Sequence, residues 1–203
     1  MQILSFPLGP LETNCYFLSK GSQAIVIDPG GDPTPLLQLL KKNALTLTHI
    51  FNTHLHLDHT YGNATLAAAT GAKIYAGEGE KIIEQTELAQ GGLFGLPPVP
   101  AYTWEAIAPG EHEILNSPCQ ILSTPGHSPG SISLYFSNAQ ACFVGDLIFK
   151  GSVGRTDFPG CSNKDLKKSI NYQIFTLPDE TTLYPGHGPS TTVLREKKGN
   201  PYV

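Results

Sequence analysis

Between Thr53 and His59 the chain reads Thr-His-Leu-His-Leu-Asp-His, three imidazoles and one carboxylate within six consecutive positions. These side chains are donors to divalent transition metals. So many titratable groups in so short a stretch would be costly to bury without a cation or charged partner. His54 and His56 alternate by two, as on extended backbone, so both can point to one side. Asp58 and His59 follow where the chain turns toward a helix and can address a second point nearby.

Further donors recur in one local design, an ionisable residue just past a strand-like run and wrapped in glycine or proline. His127 lies in Thr124-Pro125-Gly126-His127-Ser128-Pro129-Gly130, Asp146 follows Val144-Gly145, and His187 lies in Tyr184-Pro185-Gly186-His187-Gly188. Small neighbours let the backbone approach a metal centre and re-aim a side chain. Asp28, before Pro29-Gly30, has the same setting and reads either as a turn-former or as an acid that orients a metal-bound histidine. Five of the seven histidines fall in these turns; His49 and His112 read as core or edge residues.

Seven ligands suffice for two divalent metal ions. One allocation puts His54, His56 and His127 at the first, Asp58, His59 and His187 at the second, and Asp146 between them. Zinc suits this set best, and iron or manganese also fit it.

The surrounding pattern says what must hold these residues. Strands are expected at Gln2 to Phe6, Asn14 to Leu18 and Gln23 to Asp28, and a helix from Pro33 to Lys42 with a basic end. A strand from Leu47 to Asn52 delivers the histidine motif at its carboxyl end, and Thr60 to Thr70 reads as the next helix. Open α/β sheets place ligand sites at such ends. A strand at Ala72 to Ala76 and a polar helix from Glu78 to Gln90 follow. Gly91 to Tyr102 is rich in Gly and Pro yet carries Leu, Phe and Tyr, a packed loop bordering a pocket or a surface connector. Strands dominate again at Glu111 to Leu115, Cys119 to Thr124, Ser131 to Phe136 and Ala141 to Val144, then a helix from Asn163 to Phe175 and a strand from Thr181 to Tyr184. Two α/β halves packed sheet to sheet, with helices outside, fit this order.

Composition narrows the function classes. The 203 residues carry a formal charge of −4, with 40% hydrophobic and 15% charged residues, an ordinary globular composition for one domain spanning 1–203. The paired lysines at 41–42, 167–168 and 197–198 are scattered and offset by acids, unlike the basic face of a nucleic-acid binder. Four cysteines without CxxC spacing suggest neither a zinc knuckle nor a disulfide framework. A start without a basic and apolar leader, and the lack of any run of about 20 apolar residues, point to a cytoplasmic protein with no membrane partner.

His54-x-His56-x-Asp58-His59 followed by His127, Asp146 and His187 resembles the metallo-β-lactamase superfamily over essentially the whole chain. That resemblance implies a four-layer αββα sandwich with a dinuclear site at one edge, and makes Asp28 a support rather than a ligand. Asp146 stands where β-lactam hydrolases of this type commonly carry Cys, and His56 is not the Glu of the diiron flavoproteins. Gly151 to Gly160, with Leu11-x-Thr13-Asn14-Cys15-Tyr16, is similar to the glyoxalase II branch, in its short single-domain bacterial form. The implied reaction is hydrolysis of a small-molecule thioester, such as the glutathione-linked S-D-lactoylglutathione, by a metal-activated hydroxide that Asp58 and Asp146 orient. Arg155 falls near the branch's substrate-binding Lys and would contact a glutathione carboxylate. Persulfide dioxygenases, with one iron on His54, His127 and Asp146, and lactone hydrolases are the competing enzyme readings. A metal-binding module without catalysis is the non-enzymatic one. Acyl group, thiol carrier and oligomeric state are not encoded in these motifs.

Overall fold

A computed structural model describes residues 1–92 and 96–203. Two six-stranded sheets face each other. The first has the order β1 (Gln2–Leu8), β2 (Thr13–Lys20), β3 (Gln23–Ile27), β4 (Thr46–Phe51), β5 (Lys73–Ala76), β6 (Glu105–Ala106). The second runs β14 (Thr191–Thr192), β13 (Thr182–Pro185), β10 (Ala141–Gly145), β9 (Ile132–Phe136), β8 (Ser117–Ser123), β7 (Gly110–Ile114). A hairpin of β11 (Ile148–Phe149) and β12 (Ser152–Val153) stands apart.

Side-chain alternation explains the layers. Tyr16, Leu18, Ile25, Ile27 and Phe51 point inward and meet Ile121, Leu134, Phe136 and Phe143 of the other sheet. Their neighbours Phe17, Ala24, Val26 and Ile50 point outward, under Leu36 and Leu40 of α1 (Thr34–Lys42) and Leu66 of α3 (Asn63–Thr70). Cys142, Val144 and Leu183 form the outer face of the second sheet, covered by Leu166 of α5 (Asn163–Ser169) and Val193 of α6 (Val193–Gly199). A strand buried on both faces must be apolar throughout, which is why Ala24–Ile27 reads as a continuous run. The result is an αββα sandwich.

Parallel pairing of β3 with β4 and of β10 with β13 sets the site. With β9 antiparallel to both β8 and β10, strands β8, β10 and β13 run the same way. The carboxyl ends of β3, β4, β8, β10 and β13 therefore gather at one edge. Across that edge the Ile132 N–H donates to Thr53 O (2.8 Å), joining the sheets.

Several expected elements differ. Glu78 to Gln90 is not one helix but a 3-10 turn, Glu78–Ile82, and a single α turn, α4 (Glu87–Gln90). Gly77 and Gly79 press against Gly130 so closely that a Cβ would lie 2.1 and 2.8 Å from its backbone, and this contact fixes the tighter turn. The helix expected from Thr60 begins inside the motif, as α2 (Leu57–Thr60), and restarts at Asn63. Gly62 makes the break, donating its N–H to Pro29 O (2.7 Å). The Asn163 to Phe175 helix finishes in a π turn, Ile170–Ile174. In the Gly91 to Tyr102 segment, residues 93–95 lie outside the described residues; Leu96 and Pro97 border a cavity. No helix among the described residues is long and apolar enough to cross a membrane.

Candidate metal centre

All seven expected donors converge at the shared edge. One ligand atom each from His54, His56 and His127 lies within 4.8 Å of the others, and the same holds for Asp58, His59 and His187. Asp146 stands between the two trios. Its Oδ2 is 3.6 Å from His127 Nε2 and 3.6 Å from His187 Nε2, and its Oδ1 is 3.5 Å from His59 Nε2.

In His54, His59, His127 and His187 one ring nitrogen faces an oxygen outside the cluster, which turns the other nitrogen inward. His127 Nδ1 donates to Arg155 O (2.8 Å) and His187 Nδ1 to Leu11 O (3.2 Å). Asp28 Oδ2 sits 3.1 Å from His59 Nδ1. Asp28 also accepts from the Thr53 N–H (2.8 Å) and the Thr53 hydroxyl (2.7 Å). With that hydroxyl proton committed, Thr53 Oγ1 accepts from His54 Nδ1 at 3.1 Å. One buried carboxylate thus orients two of the histidines, the second through a threonine. Such outer partners fix the tautomer a metal requires.

The donor set fits a cation on grounds internal to the fold. His54 Nε2, His59 Nε2 and Asp146 Oδ1 are buried without a hydrogen-bond partner, and buried polar atoms rarely stay unpaired. Gly186 leaves the space clear: a Cβ there would lie 2.2 Å from Asp146 Oδ1 and 2.6 Å from His59 Cε1. His56 Nδ1 and His127 Nε2 face each other at 3.0 Å.

Electrostatics divides the trios. Burial and the neighbouring imidazoles push His54 well below the usual histidine range and His56 to about 3, and burial also lowers His127. These three are neutral near pH 7, the form that binds metal. Burial opposes charge on His59, but Asp58, Asp28 and Asp146 outweigh it and hold its pKa up at about 10. His187 is likewise raised, burial being outweighed by its contact with Asp58. Asp58 is held below the usual carboxylate range, its burial outweighed by His59 and His187. A metal-free second trio keeps protons that a cation would replace.

Sequence reading missed several supporting residues. Thr13 donates to Asp58 Oδ2 (3.0 Å), and Asn14 Nδ2 donates to Pro185 O (3.0 Å) and Gly188 O (2.7 Å). The Leu11-x-Thr13-Asn14 stretch therefore grips both Asp58 and the His187 turn. Glu80 gave no signal, since an acid in a polar run reads as surface. It is fully buried, and it accepts from Leu55 N (2.8 Å), Gly130 N (2.8 Å) and the Ser128 hydroxyl. Leu55 lies between His54 and His56, and Ser128 follows His127, so one side chain ties together the two turns of the first trio. In a Glu80→Gln variant an amide replaces one accepting oxygen. Metal affinity at that trio should fall about 10- to 100-fold, read by competition with a chromophoric chelator; an unchanged affinity would remove Glu80 from this role.

Arg155 contributes through its main chain, by the carbonyl that receives His127. Its guanidinium is exposed, paired with Asp157 at 2.7 Å from both Nε and Nη2, and lies 4.1 Å from the Phe158 ring centroid. His49 is half-buried, stacked with Phe51 at 5.6 Å, and His112 contacts Ala108 O (2.8 Å); neither enters the cluster.

A family model described as the metallo-beta-lactamase superfamily matches residues 8–187. The chain belongs to the metallo-β-lactamase superfamily. Among its members, the hydroxyacylglutathione hydrolase GloC of Haemophilus influenzae is 33% identical over 208 residues, covering 100% of this chain and 98% of GloC. The structure of TTHA1623 in a di-iron-bound form superposes with a TM-score of 0.88 at 35% identity, covering 98% of this chain and all of that one. The structure of the BLEG-1 B3 metallo-beta-lactamase gives 0.92 at 33% identity, with 99% of each chain covered. Overall form therefore does not separate this superfamily member from a lactamase, and the expectation against β-lactam hydrolysis stands on Asp146 alone.

Proposed function

We propose that this superfamily member is a dinuclear metal-dependent hydrolase that cleaves a small-molecule thioester such as S-D-lactoylglutathione. The observation that carries this reading is the convergence of seven donors in two trios sharing Asp146, with no side-chain nucleophile prepared beside them among the described residues. Cys161 spends its thiol on His127 O (2.8 Å), and burial raises its pKa. Ser128 and Ser131 are tied to each other at 2.7 Å, with Ser128 also bound to Glu80. Water is then the nucleophile. The C–S bond breaks, water oxygen forms the new C–O bond, and the products are a thiol and a carboxylate with release of one proton.

His54, His56, His127, Asp58, His59, His187 and Asp146 would hold two divalent ions, zinc or iron being the fitting choices. Bound there, they supply a hydroxide at neutral pH by lowering the pKa of water from about 15.7 toward 7, and an electrophile for the carbonyl oxygen. The chain itself does the rest. Asp58 and Asp146, fixed by Thr13 and by the histidines, orient the attacking water. Asp28 and Thr53 keep two imidazoles from turning away. The thiolate is a good leaving group that needs little help from an acid. Arg155 and Phe158, beside His127 and His56, would meet the thiol carrier; the Phe158 ring is 5.9 Å from that of His56. The similarity to GloC supports the choice of glutathione as carrier.

The dioxygenase reading uses only His54, His127 and Asp146 and leaves the second trio without work. An anaerobic assay separates the two. Metal-loaded protein should release free thiol from S-D-lactoylglutathione without oxygen and consume no oxygen with glutathione persulfide. Oxygen uptake without thioester cleavage would establish the alternative.

A further inference from the structure

The cluster is not equally open on all sides. His54 and His59 are sealed, whereas the side chains of Asp58, Asp146 and His187 remain 14%, 12% and 31% exposed. One open flank of the cluster is therefore the Asp58 side. There a cavity of about 220 Å³ opens, with Asp58 in its wall. Pro10 and Leu11 from the β1–β2 turn, Leu57 and Tyr61 at the two ends of α2, and Leu96 and Pro97 line it. Gly9 and Gly30 close its floor in a contact that admits no side chain: a Cβ on Gly9 would sit 2.6 Å from Gly30 O.

Two properties define what enters. The described lining holds no Lys, Arg or His, and Asp32 adds a carboxylate, so an anionic group is repelled. The walls are otherwise almost wholly apolar, and an apolar cavity of roughly 150 Å³ is known to accept benzene. A space of this size takes a phenyl group or an aliphatic chain of roughly six carbons. The charged carrier finds a complementary surface on the other side of the cluster, where Arg155 and Phe158 flank His127 and His56.

We infer that the cavity beside Asp58 is an acyl pocket, and that the enzyme prefers thioesters of apolar acyl groups of about six carbons over the small polar lactoyl group. This inference rests on the thioesterase reading above and sharpens it. Apolar surface buried only when the correct acyl group docks also places the carbonyl against the donors, so it favours turnover as well as binding.

The test uses a series of glutathione thioesters with metal-loaded protein: acetyl, lactoyl, butanoyl, hexanoyl and decanoyl. kcat/KM should rise about fourfold per buried methylene up to hexanoyl and then level off. Leu11→Trp, on an exposed turn, fills the mouth and should cut the hexanoyl-to-acetyl ratio by about tenfold. Tyr61→Ala should move the optimum to longer chains. A flat series, or one with lactoyl fastest, overturns the pocket and leaves the thioesterase standing, as does a ratio that Leu11→Trp leaves unmoved. If no thioester in the series is cleaved, the thioesterase reading fails and the pocket with it.

Discussion

Asp146→Ala should lower thioester turnover by roughly a thousandfold or more and cut metal content together with it. The carboxylate lies within 3.6 Å of donors from both trios, so its loss leaves each trio short of an anionic partner. Five imidazoles and Asp58 would then face two dications. Asp146→Asn is the informative companion, because it keeps the shape and removes the charge. Elemental analysis beside initial rates reads both variants, and circular dichroism shows whether they are folded. Full metal content with full turnover in Asp146→Ala would show that Asp146 serves neither role.

Asp28→Ala should have the second largest effect, and it acts at a distance from any substrate. Asp28 is 1% exposed, accepts from the Thr53 N–H and the Thr53 hydroxyl, and lies 3.1 Å from His59 Nδ1. Removing it strands buried donors and leaves His59 without a partner on its outer side. Breaking a buried charged pair costs about 3–5 kcal/mol, so denaturant unfolding of the metal-free variant should shift by that order. Metal affinity should drop about 10- to 100-fold as well, since His59 and, through Thr53, His54 lose their orientation. A variant with unaltered unfolding midpoint and metal affinity would mean that the Asp28 contacts do not position these rings.

The site was largely legible in the sequence because its donors share one design. Each follows a strand and sits among glycines and prolines, and imidazoles are scarce enough that their clustering stands out. The continuous apolar run Ala24–Ile27 likewise announced a strand covered on both faces. What stayed hidden was support without a chemical signature. Glu80 looks like any acid of a polar helix until the 3-10 turn buries it under Gly130. The β11–β12 hairpin has two-residue strands, too short for a periodic signal. Its placement depends on distant partners: Glu196 of α6 accepts from Gly151 N (2.9 Å), and Asn200 donates to Ser152 O (2.9 Å). Contacts between residues 45 to 48 positions apart leave no local trace. Arg155 shows the converse, a position legible from a motif whose main-chain contact to His127 was not.

The central claim is that these seven residues form one two-metal centre. It is tested most directly by anomalous diffraction from crystals of the protein loaded with zinc or iron. The account predicts two peaks per chain, one among His54 Nε2, His56 Nδ1 and His127 Nε2, the other among Asp58, His59 Nε2 and His187 Nε2, with Asp146 touching both. A single peak confined to His54, His127 and Asp146, or peaks away from these atoms, would contradict it.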